Sequence, residues 1–96
     1  MIASFGDAAT GDLYHGHRTR RAQRFPSDVQ ATALRKLDML NAADSLQDLR
    51  SPPGNRLEKL EGDLEGLHSI RVNEQWHLVF RWEGSNAHEV RLTDYH

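Results

Sequence analysis

Four large apolar side chains alternate in Trp76-His77-Leu78-Val79-Phe80-Arg81-Trp82. A period of two makes a strand with one apolar face, and that face must be buried. Ile70 and Val72 alternate in the same way just upstream. The runs 67–72, 76–82 and 87–94 therefore read as three antiparallel strands, joined by Asn73-Glu74-Gln75 and by Glu83-Gly84-Ser85-Asn86. A three-residue loop at 73–75 pairs Val72 with Trp76 and Ile70 with Leu78, and it sets Arg71 opposite His77. A two-residue loop mixes the faces and is excluded. The second hairpin admits two registers. A five-residue loop pairs Phe80 with Val90, Leu78 with Leu92, Arg81 with Glu89 and His77 with Thr93. A three-residue loop shifts these pairs by two.

The opposite face carries Arg71, His77, Arg81, Arg91 and Tyr95, and the run closes on Asp94-Tyr95-His96. Arginines beside groups that titrate or orient protons suit the handling of a phosphate. Solvated sheet faces also carry Arg, Glu and His with no chemistry attached, so parity alone leaves both readings open. Trp76 and Trp82 have the parity of the core rather than of a base-stacking platform.

Upstream, Ile2-Ala3-Ser4-Phe5 reads as a short strand. Asp7 caps a helix through about His15, with Ala8, Ala9 and Leu13 turned inward. Residues 16–25 read as a loop or a fraying helix end. The clearest helix is 27–42. Ser27 and Gln30 have the form of a capping box, and Val29, Ala33, Leu37 and Leu40 share the face that packs on the sheet. Asp44 to Leu49 reads as a helical turn, Ser51-Pro52-Pro53-Gly54-Asn55 as a break, and Arg56 to Leu60 as a strand.

Ninety-six residues predict one domain over 1–96. Twelve basic against fourteen acidic residues leave a charge of −2, which argues against a general nucleic-acid binder. The charge is nevertheless uneven. Arg18, Arg20, Arg21 and Arg24 fall in seven residues with no acid among them, either as a solvated loop or as a surface for RNA or a partner. The absence of cysteine removes disulfides and thiolate zinc sites. No apolar run approaches the ~18 residues of a membrane span, and the amino terminus lacks a signal-peptide pattern. The expectation is a soluble cytoplasmic protein without membrane association. The six histidines show no H-x₃-H or H-E-x-x-H spacing, so no metal and no cofactor is expected.

Several linked motifs then narrow the reading. Arg50-Ser51-Pro52-Pro53-Gly54-Asn55-Arg56-Leu57-Glu58 is followed by Leu60-Glu61-Gly62-Asp63, by His68-Ser69-Ile70-Arg71-Val72-Asn73-Glu74-Gln75-Trp76, by Phe80-Arg81-Trp82, and by Asp94-Tyr95-His96. This order resembles the HigB toxins of the RelE superfamily, particularly the branch that includes GraT-like toxins. The resemblance implies an α+β fold, with two N-terminal helices packed on a small, mainly antiparallel sheet. It implies a toxin that cleaves messenger RNA on the ribosome. It also implies a HigA-type helix-turn-helix antitoxin as partner, with operator DNA bound only through the toxin–antitoxin complex. The chain departs from the resemblance at two places. His77 stands where many relatives have arginine, and Glu61 where many have lysine. Lys59, two residues from Glu61, shares its face if both lie in one strand.

The chemistry so implied needs no metal, because RNA carries its own 2′-hydroxyl nucleophile. Arg81 and Arg71 are the candidates for the phosphate, and His77 and His96 for proton transfer near neutral pH. Tyr95 is the candidate to stack on a base or orient the phosphate. Lys59, Arg56 and Asp94 are candidates to hold the RNA. Pairing of Arg81 with Glu89 alone would make Arg81 structural. A toxin homologue that has lost catalysis but still binds an antitoxin is a second reading, and a small RNA-binding domain a third.

Overall fold

The computed structural model describes residues 1–94. Its elements in chain order are helix α1 (Ala8–His15), the single-turn helix α2 (Arg20–Gln23), helix α3 (Ser27–Ala42), and strands β1 (Glu58–Lys59), β2 (His68–Arg71), β3 (His77–Glu83) and β4 (Asn86–Thr93). Short 3₁₀ turns at Leu46–Arg50, Pro53–Asn55 and Gly62–Leu64 carry the chain between α3 and β2. The four strands are antiparallel and lie in the order β1-β2-β3-β4. Among the described residues no helix is long and apolar enough to cross a membrane.

The core forms where the α3 stripe meets the apolar face of the sheet. Val29, Ala33, Leu37 and Leu40 are buried at helical spacing against Ile70, Leu78, Phe80, Val90 and Leu92. Each fully buried Leu or Phe contributes about 1.5–3 kcal/mol through the apolar surface it removes from water. Trp76 and Trp82 pack at the margin of this core, Trp76 edge-on to Phe25 with ring centres 5.7 Å apart.

Helix α1 starts as the sequence predicts, with the Asp7 carboxylate accepting from the Thr10 amide at 2.8 Å. Its inward face differs. Thr10, Asp12 and Leu13 are buried while Ala8 is exposed, because Thr10 accepts the Leu92 amide and Asp12 accepts from Thr19 and Arg21. The stretch 16–25 is not wholly a loop, since α2 forms there with Thr19 Oγ1 capping the Ala22 amide at 3.3 Å. The capping box at Ser27 does not form. The Gln30 side chain donates instead to the Phe25 carbonyl oxygen at 2.7 Å, and the helix begins after Pro26 with no side-chain cap.

The first hairpin has the predicted register, with Ile70 opposite Leu78, Arg71 opposite His77, and the Val72 amide donating to the Trp76 carbonyl oxygen at 2.9 Å. Asn73 builds its turn by accepting from the Gln75 and Trp76 amides at 2.8 and 2.7 Å. The second hairpin takes neither predicted register throughout. His77 pairs with Thr93 and Leu78 with Leu92, as a five-residue loop requires, but Arg81 pairs with His88 and Trp82 with Ala87. A β-bulge separates the two halves, with Glu89 in the left-handed region at φ 55°. The extra residue is what lets Ala87, Val90 and Leu92 all face the core despite their uneven spacing.

β4 is not a free edge. Residues 2–5 run parallel to it through bridges at Ile2–Ala87 and Phe5–Val90. Where this segment turns away, Ser4 Oγ accepts the Glu89 amide at 2.9 Å and Thr10 Oγ1 accepts the Leu92 amide at 2.9 Å.

Candidate functional site

The strand register places two rows of side chains on the sheet face turned away from α3. One row crosses all four strands as Glu58–Ser69–Val79–Arg91, and the next reads Arg71–His77–Thr93. Beside the second row is a cleft of about 270 Å³ lined by Arg56, Glu58, Arg71, Glu74 and His77. Arg56 reaches this cleft because the chain turns sharply there, at φ 44°, just before β1. That turn also shortens the strand predicted for Arg56 to Leu60 to Glu58–Lys59.

Arg71 is oriented by its own hairpin, with Nε donating to the Asn73 carbonyl oxygen at 3.0 Å. This bond uses one N–H of the five and leaves the guanidinium fork directed by a rigid turn. Across the ladder from Arg71, His77 is half-buried. Asp94 accepts from Gln75 Nε2 at 2.7 Å, which ties the end of the described chain to the β2–β3 hairpin. Tyr95 and His96 lie outside the described residues.

Two of the expected residues stand apart from this cleft. Arg81 is bonded to Glu83 and lies 3.6 Å from the Glu89 carboxylate, so its charge is matched within the second hairpin. Lys59 pairs with His68, which stacks on Phe80 with ring centres 6.2 Å apart, so Lys59 belongs to the α3 side of the sheet edge. Glu61 has left the ladder and opens the 3₁₀ turn at Gly62–Leu64, so Lys59 and Glu61 do not share a strand face. Two acids that the sequence reading passed over, Glu58 and Glu74, line the cleft. The signal for Glu58 was available in its alternation with Lys59, once β1 is paired to β2.

Two further charged groups have displaced titration. Burial, with Lys59 nearby, pushes the His68 imidazole below its ordinary pKa of 6.5. Its Nδ1 is buried and has no hydrogen-bond partner among the described residues. Near the basic segment, Asp12 accepts from Arg21 Nε and from Thr19 Oγ1, the latter at 2.7 Å. The Arg21 bond first, and then that from Thr19, lower its carboxyl from 3.8 to about 2. Asp12 thus anchors the residues after α1 while Arg18, Arg20 and Arg24 stay solvent-facing.

Comparison with known proteins bears on this arrangement. A family model described as the RelE-like toxin of the type II toxin–antitoxin system HigB matches residues 3–96. Toxin HigB-1 of Vibrio cholerae serotype O1 is 51% identical over 82 residues, which is 85% of this chain and 84% of that protein. An uncharacterised protein of Haemophilus influenzae is 42% identical over 69 residues, 72% of this chain and 68% of that one. Among solved structures, a YoeB–YefM complex from Staphylococcus aureus matches with a TM-score of 0.62 at 16% identity, covering 100% of this chain and 98% of that one. The YoeB/ParE toxin from Agrobacterium tumefaciens matches with a TM-score of 0.56 at 16% identity, covering 100% of both chains. At that identity the structural matches establish a shared fold.

Proposed function

The chain belongs to the HigB-like, RelE-like toxins of type II toxin–antitoxin systems, and on that premise we propose that it is a ribosome-dependent endoribonuclease that cuts messenger RNA. The observation that carries the reading is the pairing of Arg71 with His77 across β2 and β3, beside a cleft that Arg56 also lines. A fixed guanidinium next to an imidazole suits a phosphodiester.

In this reading the 2′-hydroxyl loses its proton to a base and its oxygen attacks the adjacent phosphorus. The bond from phosphorus to the 5′-oxygen then breaks, and that oxygen gains a proton. The products are a 2′,3′-cyclic phosphate and a 5′-hydroxyl. Arg71 and Arg56 stabilise the negative charge on the five-coordinate phosphate, which is where preorganised electrostatics usually contributes most. His77 and His96 carry the protons, and Tyr95 orients the phosphate or stacks on a base. Asp94, held by Gln75, orients a neighbouring group or the RNA. Arg81 serves as a brace for the β3–β4 hairpin through Glu83 and Glu89. The protein works in the cytoplasm, with a HigA-type antitoxin as its partner and contact to operator DNA through that complex. Kinship with GraT-like toxins is part of the same proposal.

A second reading rests on the acids of the cleft. Glu58 and Glu74 oppose its arginines, and His77 and Glu61 stand where many relatives carry permanent or stronger positive charge. A toxin homologue weakened in cleavage and retained to bind antitoxin and regulate its operon fits those substitutions.

Expression of the chain alone in a bacterial host, with mapping of new messenger-RNA 5′ ends, separates the two. Codon-phased cuts that vanish in Arg71→Ala and in a chain lacking His96 support the nuclease. Soluble protein with neither growth arrest nor new ends supports the second reading.

A further inference from the structure

The face that carries Arg71 and His77 holds another arginine, whose charge no other described residue engages. Arg91 sits opposite Val79 in the row that continues through Ser69 to Glu58. It lies one strand over from His77 and one row along, a step of about 6.7 Å on a strand. Val79 and Ser69 are each 1% exposed, so the middle of this row is closed and its two ends carry the charge.

Two neighbouring arginines already have partners in the fold. Arg71 donates to Asn73, and Arg81 is held by Glu83 and Glu89. The Arg91 guanidinium makes no hydrogen bond or ion pair among the described residues, its pairing with Val79 being through the backbone ladder. Its stem, however, is fixed in place. A Cβ added at Gly6 would stand 2.5 Å from Arg91 Cγ, 2.7 Å from Cδ and 2.7 Å from the Glu89 carbonyl oxygen, so only glycine leaves room for the arginine there. Phe5, Gly6, Leu67, Glu89 and Arg91 line a cleft of about 320 Å³. A pinned stem with an uncommitted guanidinium suits ligand binding, because part of the ordering cost falls before the ligand arrives.

We propose that Arg91 binds a phosphodiester of the RNA strand adjacent to the one cut in the Arg56–Arg71–His77 cleft. The proposal rests on the reading of this face as an RNA site. It gives the strand a direction across the sheet, from β2 and β3 towards β4 and the amino-terminal segment. It also supplies, on β4, a permanent positive charge that His77 and Glu61 do not.

The test uses bacterial ribosomes programmed with a message whose A-site codon carries 2′-deoxynucleotides, which removes the nucleophile and leaves binding measurable. Arg91→Gln is expected to weaken binding of the full chain about five- to tenfold. It should also reduce the slope of log affinity against log salt by about 0.7, the loss of one phosphate contact on a single strand. Arg91→Lys recovers most of that slope. On the ordinary message, Arg91→Gln raises KM with kcat within about twofold. Unchanged affinity and slope in Arg91→Gln, or no binding by the wild type, overturns the proposal. Arg91-dependent binding without cleavage by the wild type keeps the phosphate site and removes the nuclease reading.

Discussion

The Leu92 amide donates to Thr10 Oγ1 across 2.9 Å, and both residues are buried. This bond joins α1 to β4 at the point where the amino-terminal segment leaves the strand, so a hydroxyl replaces a backbone carbonyl in the ladder. Thr10→Val keeps the shape and leaves a buried N–H without an acceptor. It is expected to cost about 1–3 kcal/mol, read as a lower denaturant midpoint. Thr10→Ser keeps the acceptor and should lie closer to wild type.

Asp12 makes stability depend on acid. Its carboxyl is lowered to about 2 in the fold, first by Arg21 and then by Thr19, against an ordinary 3.8. The unfolded chain therefore binds the proton first, and the contribution is complete above pH 4 and lost as pH falls towards 2. Unfolding followed across that window should show a slope that Asp12→Asn flattens.

His68 titrates in the other part of the range. Burial first, and Lys59 second, disfavour its charged form. Its contribution to stability is complete above pH 6.5 and declines as pH falls through the lowered value. Imidazole resonances followed by NMR should place the His68 midpoint below 6.5, with Lys59→Ala moving it partway back. A midpoint at or above 6.5 contradicts the burial.

Asn73 links the turn to the cleft. Its side chain accepts two amides and its carbonyl oxygen positions Arg71. Asn73→Ala should destabilise the hairpin by about 1 kcal/mol in this solvated turn and lower RNA cleavage through a misdirected Arg71. Asn73→Asp keeps both acceptors and should retain most of each property.

The elements readable from the sequence are those with regular periodicity. Leu78 and Phe80 against Ile70 fix one register, and Val29, Ala33, Leu37 and Leu40 mark α3, because each pattern has a single face to bury. The β3–β4 pairing escaped because Ala87, Val90 and Leu92 do not alternate, and only a bulge at Glu89 reconciles them. That uneven spacing was itself the available clue. α2 escaped because its single turn has only the Thr19 cap locally and is otherwise held by Asp12 from another helix. In the site, Arg71 opposite His77 followed from parity, whereas the entry of Arg56 depends on a backbone turn and the position of Lys59 on which residue of β2 it meets. Arg81 shows the limit of parity, since facing the right way does not decide whether a charge is already matched.

The first residues of the chain are bonded to some of its last. The Ala87 amide donates to the Met1 carbonyl oxygen, and the Val90 amide to that of Ser4. More than eighty residues separate each pair, which at ordinary synthesis rates means a delay on the order of ten seconds. Until β4 is made, residues 1–6 have no strand to join, and the row bearing Arg91 does not exist. The face proposed to engage RNA is therefore a late product of folding, complete only once the amino-terminal segment has found β4.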